Sequence, residues 1–320
     1  MPSFNSKSST SFQDEGREAN PITYVDGTTV KGVLVKDVVS VAAVTVPDLT
    51  FELAVETNER TPGTDGIMGM AYSPPNANPT FWEVAVSQKK TQSSVFSYYI
   101  DATDKAGALT LGGMDLARFN GPLAWMPVLP TLSSSGMNTF VYWQVGMTKI
   151  NIGPNSVALP SAKLPAIFDT GTSLAIFPLE MAASINKQLG LQEINSEGTN
   201  ASLYGISCRD GKIPSGLPDL SLTFDSVVLT MPASSYMFIQ PDTRGRLICL
   251  SGVAGVSLSS AAAEPNSIII GNIFLRQFYV GVVDMAVQPV LVCFVFCHTR
   301  KDTSLRVSSL PADKLNPIRF

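Results

Sequence analysis

Short extended runs, rich in β-branched residues and closed by Gly, Asn, Asp or Pro, recur along most of the chain. "ITYVDGTTVKGVLVKDVVSV" (Ile22–Val41) carries such runs on both sides of Asp26-Gly27. Asp-Gly between extended runs signals a hairpin, because its turn positions need positive φ. "VFSYYI" (Val95–Ile100) and "GALTLGG" (Gly107–Gly113) form a further expected pair. "TFVYWQVGMTKINIG" (Thr139–Gly153) alternates over a long stretch, and "DLSLTFDSVVLTM" (Asp219–Met231) does so around Asp225-Ser226. Helices are few. "PLEMAASINKQLG" (Pro178–Gly190) sets Met181, Ile185 and Leu189 on one face, with Pro178 suited to a first turn and Gly190 to a C-cap. "TFWEVAVSQK" (Thr80–Lys89) is a weaker case. The pattern predicts an all-β fold with few short helices.

The 320 residues suffice for two domains or one large bilobal one. Apolar residues make up 45% and charged residues 15%, which predicts a large packed core rather than general disorder. Net charge is −4 and no Lys/Arg run forms a basic stripe, so no nucleic-acid partner is expected. No apolar run reaches the roughly 18 residues of a spanning helix, so no membrane-spanning segment is expected. The nearest, "PVLVCFVFC" (Pro289–Cys297), is too short. The start, "MPSFNSKSSTSFQDEG", has no apolar signal-peptide core.

Side-chain chemistry narrows the field further. The chain has one histidine, His298. Ser-His-Asp and Cys-His nucleophiles need a histidine base, and zinc catalysis commonly uses two or three. The acid/base groups that remain are carboxylates. Cys208 and Cys249 stand 41 positions apart in otherwise Cys-free sequence. They read either as a disulfide, implying an oxidising compartment, or as two buried thiols. Cys293, Cys297 and His298 could bind metal on paper, but the plainer reading is a strand followed by a disordered basic tail, and no metal or cofactor is expected. Asn200-Ala201-Ser202 is a glycosylation sequon.

One carboxylate has distinctive surroundings. "AIFDTGTSLAIFP" (Ala166–Pro178) sets Asp169 before Thr170, Gly171, Thr172 and Ser173, between two apolar runs. Such an aspartate works with a partner: a water held between two carboxylates that share a proton can attack a peptide bond, since like charges so close cannot both ionise easily. Thr170 and Gly171 after it let backbone N–H groups approach its oxygens, and a hydroxyl such as that of Thr172 can donate to its outer oxygen, favouring the ionised form. The chain also repeats itself. "TDGIMGMAY" (Thr64–Tyr72) and "NSIIIGNIF" (Asn266–Phe274) share a polar residue, large aliphatics, Gly and a second apolar run. Each is expected to place a buried strand beside a tight glycine turn, one in each of two related lobes.

On these residues the chain resembles the pepsin-like aspartic proteases. "FDTGTS" (Phe168–Ser173) is similar to their second-lobe catalytic loop, and "IIIGNIFLRQFYVGVVD" (Ile268–Asp284) to the segment that braces it. "DGIMGMAY" (Asp65–Tyr72) resembles the first-lobe brace. "ITYVDGTTVKG" (Ile22–Gly32) resembles the flap hairpin, with Tyr24 as the flap tyrosine and Asp26-Gly27 at its turn. "YWQV" (Tyr142–Val145) and "LPDLSLTF" (Leu217–Phe224) are further matches. The resemblance runs from about Phe4 to about Ala286. It implies a bilobal fold, Asp169 as the second-lobe catalytic aspartate, Thr170 turned back into the lobe, a Cys208–Cys249 disulfide, no cofactor, a monomer, and a secretory, extracellular or vacuolar/lysosomal location.

Two departures accompany the resemblance. "FNSKSSTSF" (Phe4–Phe12) matches a segment just after the first-lobe Asp-Thr-Gly, which is absent from the 320 residues. Asp14, Asp26 and Asp65 lack the flanking Thr-Gly and do not replace it. Beyond Ala286 the chain departs from the family's ending. The favoured explanation of both is a gene-reading artefact, a late start and a read-through. The expected organisation is an incomplete N-terminal lobe over 1–125, a C-terminal lobe over 126–286, and a partly disordered tail over 287–320. The expected function is aspartic endopeptidase by family, acting on peptides or proteins, with this chain inactive as written. The alternative is a non-catalytic pseudo-protease that binds peptides or a protein partner. Assembly of two copies around paired Asp169 residues is a lesser reading, since the first-lobe remnant would obstruct it.

Overall fold

The computed structural model describes residues 4–24, 27–58, 65–101, 106–132, 138–194, 201–225, 227–242, 244–257, 266–283, 291–296 and 306–309. Asp26, Asn200, Cys297 and His298 lie outside these. The chain is built mostly of strands with a few short helices, and it divides into two compact units: residues 1–94 with 131–142, and residues 95–130 with 143–320.

The first unit is built on one long hairpin, Thr29–Val41 with Val44–Thr57. The other edge of Thr29–Val41 pairs with Gln13–Glu18 and with Ile22–Thr23. The second of these pairings forms the hairpin expected around Asp26-Gly27: Tyr24 N–H donates to Thr28 O (2.8 Å), Gly27 N–H to Tyr24 O (3.0 Å), and Gly27 has φ +87°. The N-terminal segment is tied down by Asp37. Ser9 Oγ donates to Asp37 Oδ1 at 2.9 Å, Ser11 Oγ donates to the same oxygen, and Val38 N–H adds a third bond at 2.7 Å. These bonds, Ser11 first, hold the Asp37 carboxyl below the usual aspartate range although burial opposes them.

The long hairpin turns on Ala42-Ala43, and Ala42 sits at φ +51°. A β-carbon there costs about 1–2 kcal/mol, and asparagine tolerates the conformation better. Ala42→Asn is expected to raise stability by about 0.5–1 kcal/mol, read as a higher denaturant midpoint with an unchanged slope.

The helix Phe81–Ser87 starts at a capping box: Glu83 N–H donates to Thr80 Oγ1 (3.3 Å) and Thr80 N–H to Glu83 Oε2 (2.7 Å). The segment before it corrects an expectation. Residues 65–70 form no strand, and Ile67 and Met68 are 64% and 40% exposed. Among the described residues no strand pairs with them.

The second unit holds a five-stranded antiparallel sheet, ordered Gly107–Leu111, Val95–Ile100, Phe278–Val283, Leu291–Phe296, Ala124–Pro127. Its larger sheet includes the expected hairpin Leu220–Phe224 with Val227–Met231, beside Gln144–Ile152. The alternation read from Thr139 onward becomes a strand of this sheet only at Gln144. The chain passes from one unit to the other between Tyr142 and Trp143, and the alternation is interrupted there. The helix Leu179–Gln188 buries Met181 and Ile185 as its spacing predicts, and Leu189 beyond it. Pro178 is its N-cap and the last residue of the strand Ala175–Pro178, and Gly190 closes it at φ +75°.

Cys208 and Cys249 are disulfide-bonded, across the paired strands Ala201–Ser207 and Leu247–Ser251. With the two cysteines 41 positions apart, the bond constrains the unfolded chain by about 4 kcal/mol in the loop-entropy model. The double substitution Cys208→Ala, Cys249→Ala is expected to lose a stability of that order. Equal urea midpoints for the oxidised and the substituted chain would contradict it.

Candidate active site

Asp169 stands at the end of the strand Leu164–Phe168, whose residues Leu164, Ala166, Ile167 and Phe168 are buried. That strand runs parallel to Ile268–Ile270, with Ala166, Ile167 and Phe168 opposite Ile268, Ile269 and Ile270. The chain then loops through residues 170–174 and returns as Ala175–Pro178, which pairs with the other edge of Ile268–Ile270. A strand from almost a hundred residues later is thus inserted between the two arms of the loop. This explains why "III" is apolar at every position: neighbours flank both edges, and all three side chains are buried.

The loop itself fixes the carboxylate. Asp169 N–H donates to Ile270 O at 3.1 Å, which anchors its backbone to the inserted strand. Gly171 N–H donates to Asp169 Oδ1 at 2.8 Å, and Thr172 Oγ1 donates to Oδ2 at 2.6 Å. Each oxygen therefore has its own donor, and the plane of the carboxylate is set. Glycine suits residue 171: a β-carbon there would lie 3.1 Å from Oδ1 and push the carboxylate a few tenths of an ångström out of place. Asp169 and Thr172 are half-buried, while Thr170, Gly171 and Ser173 are exposed. Thr170 is held through its carbonyl, which accepts from Asn272 Nδ2 at 3.0 Å.

Behind the loop, Gly271 and the short helix Asn272–Leu275 form the brace. Asn272 N–H donates to Thr172 O (2.8 Å) and Ile273 N–H to Ser173 O (2.9 Å). Ala175 N–H donates to Gly252 O (2.8 Å) on the far side. The loop's carbonyls are thus occupied by the brace, leaving its N–H and hydroxyl donors for Asp169. A cavity of about 270 Å³ opens beside the loop, lined by Leu174, Leu203, Phe238 and Leu250, with Ser173, Gln240 and Ser251 on its polar side.

The half-buried aspartate thus has one oxygen oriented by a Gly N–H and the other by a Thr hydroxyl, whereas Thr170, expected to turn back into the lobe, is exposed and held by its backbone carbonyl. The comparisons with known proteins decide the family. The family model for eukaryotic aspartyl protease matches residues 1–292. The chain belongs to that family. It is 32% identical over 290 residues to Pepsin A of Sus scrofa, covering 86% of this chain and 66% of that protein. It is 33% identical over 263 residues to Gastricsin of Oryctolagus cuniculus, covering 78% of this chain and 60% of that protein. The chain thus spans somewhat less than two thirds of the length of the aspartyl proteases it matches.

Of the other site residues read from the sequence, Tyr24 and Gly27 sit at the hairpin of the first unit, Tyr24 half-buried and Gly27 exposed. Asp26 lies outside the described residues. Asp14 caps a local turn, its Oδ1 accepting from Gly16 N–H at 2.8 Å, and Asp65 is exposed. No group of three metal-ligating side chains comes together among the described residues. One contact escaped the sequence reading: Asn272 ties the brace to Thr170.

Proposed function

We propose that this protein is an aspartic-type endopeptidase in which Asp169 is one of two carboxylates that activate a water for attack on a peptide bond. The observation that carries the reading is the Asp169 loop. Gly171 and Thr172 orient the carboxylate oxygens, and the Gly271-Asn272 brace holds the loop still. Fixed donors suit a carboxylate that must alternate between base and acid without reorganising. A second carboxylate sharing a proton with Asp169 would give acid-pH activity. The apolar cavity beside Ser173 and Leu174 supports a preference for bulky apolar side chains. The hairpin tip bearing Tyr24 and Gly27 is the segment assigned to cover bound peptide and exclude water. The disulfide supports a secretory, extracellular or vacuolar/lysosomal location, and the working form is a monomer.

The 320 residues contain one Asp-Thr-Gly. This favours a second reading, a pseudo-protease that holds peptide without cutting it. A transition-state peptide mimic separates the two. The protease reading expects it to bind saturably and to block hydrolysis of a denatured protein at acid pH. Saturable peptide binding with no cleavage by a form that contains two Asp-Thr-Gly loops would favour the pseudo-protease.

A further inference from the structure

Residues Asp169 to Thr172 make a β-turn, closed by Thr172 N–H donating to Asp169 O at 3.4 Å. The peptide unit between Thr170 and Gly171 is the middle of that turn, and it is planar. Its N–H, on Gly171, donates to Asp169 Oδ1 at 2.8 Å, and its C=O, on Thr170, accepts from Asn272 Nδ2 at 3.0 Å. The middle peptide of a turn can face either way. The flipped form needs positive φ at the third residue, which glycine adopts at no steric cost. Gly171 is not at positive φ, so one orientation is held although the sequence permits both. Thr170 and Gly171 are exposed, so close packing does not make that choice. A flip would take the Gly171 N–H away from Oδ1 and break the bond to Asn272 together.

We propose that Asn272 is a positioning residue of the Asp169 site, its side-chain amide locking the Thr170–Gly171 peptide in the orientation that presents Gly171 N–H to the carboxylate. This rests on reading Asp169 as a catalytic carboxylate. The carbonyls of Asp169, Thr172 and Ser173 accept from the backbone N–H groups of Thr172, Asn272 and Ile273, which almost any residue would supply. The Thr170 carbonyl takes its donor from a side chain, so here the identity of residue 272 matters. The amide has one workable orientation, since turning Oδ1 toward Thr170 O would set two acceptors face to face. Oδ1 is shut off from solvent and meets no donor among the described residues. A buried acceptor left unpaired costs stability, so what this side chain contributes is the bond from Nδ2. The two bonds also run head to tail through one peptide. Donation to its C=O polarises the unit and makes its N–H a better donor to Asp169.

The test reads the Gly171 amide by NMR in the ¹⁵N-labelled 320-residue chain. Asn272→Ala removes the donor. It is expected to move the Gly171 amide proton upfield and to speed its exchange with solvent about fivefold. The backbone amide at position 272, bonded to Thr172 O, should keep its exchange rate, because that bond needs no side chain. Equal changes at both amides would mean that residue 272 acts only through the packing of the brace, and would overturn the proposal. Asn272→Asp gives a second reading that does not depend on the first variant folding. A protonated carboxyl can donate to Thr170 O and an ionised one cannot. Compared with the unsubstituted chain at the same pH, the Gly171 resonance should coincide in acid and depart as the introduced carboxyl ionises. A Gly171 amide that follows the unsubstituted chain in Asn272→Ala, or throughout the titration of Asn272→Asp, overturns the proposal equally. Neither readout needs hydrolysis, so failure of the protease reading and failure of this one are separate results.

Discussion

Gly271→Ala is expected to cost about 3 kcal/mol or more and to dislocate the Asp169 loop. A β-carbon at residue 271 would lie 2.2 Å from Leu174 O and 2.3 Å from Thr172 O. Both atoms are backbone, so no side chain can swing aside. Thr172 O also accepts from Asn272 N–H, and Thr172 supplies the hydroxyl on Asp169 Oδ2, so displacing it loosens the carboxylate as well. The comparison substitution is Gly69→Ala, at the corresponding glycine of the repeated pattern. An added β-carbon there meets nothing within 4 Å, and a change within about 0.5 kcal/mol is expected. Denaturant midpoints of the two variants check this. Equal costs would mean that the close approach at Gly271 does not hold the loop.

Asp169→Asn should have the opposite profile, with little change in stability and a very large change in rate. Asparagine keeps an acceptor for one donor and fits the same space, so Gly171 and Thr172 can still engage it. It cannot accept a proton from water at the cost a carboxylate can. In a form with two Asp-Thr-Gly loops, kcat should fall by at least roughly a thousandfold, about 4 kcal/mol of transition-state stabilisation, with KM changed far less. Parallel loss of KM and stability would mean that Asp169 acts through the fold rather than through the reaction.

The sequence made many of the strands legible, because hairpins are local. Alternation around Asp225-Ser226 and between "VFSYYI" and "GALTLGG" needs only neighbouring residues to become hairpins. The helix Leu179–Gln188 follows from the spacing of Met181 and Ile185. What the sequence could not carry was long-range. "GIMG" and "IIIG" look equivalent as text, yet Ile268–Ile270 is inserted between two strands while Ile67 and Met68 are exposed. Burial depends on a partner, and a partner is not written in the run itself. The bond from Asn272 to Thr170 was out of reach for the same reason: it joins residues 102 positions apart, although the segment around Asn272 resembles the family's brace.

The proposed function stands or falls with the Asp169 loop as one half of a two-aspartate hydrolase. The most direct test measures hydrolysis of a denatured protein at acid pH by the 320-residue chain and by a longer form that adds an upstream Asp-Thr-Gly loop. Cleavage by the longer form, blocked by a transition-state peptide mimic, is expected, with little or none by the 320 residues alone. Full activity of the 320 residues alone, or an inactive longer form with Asp169 intact and folded, would contradict it.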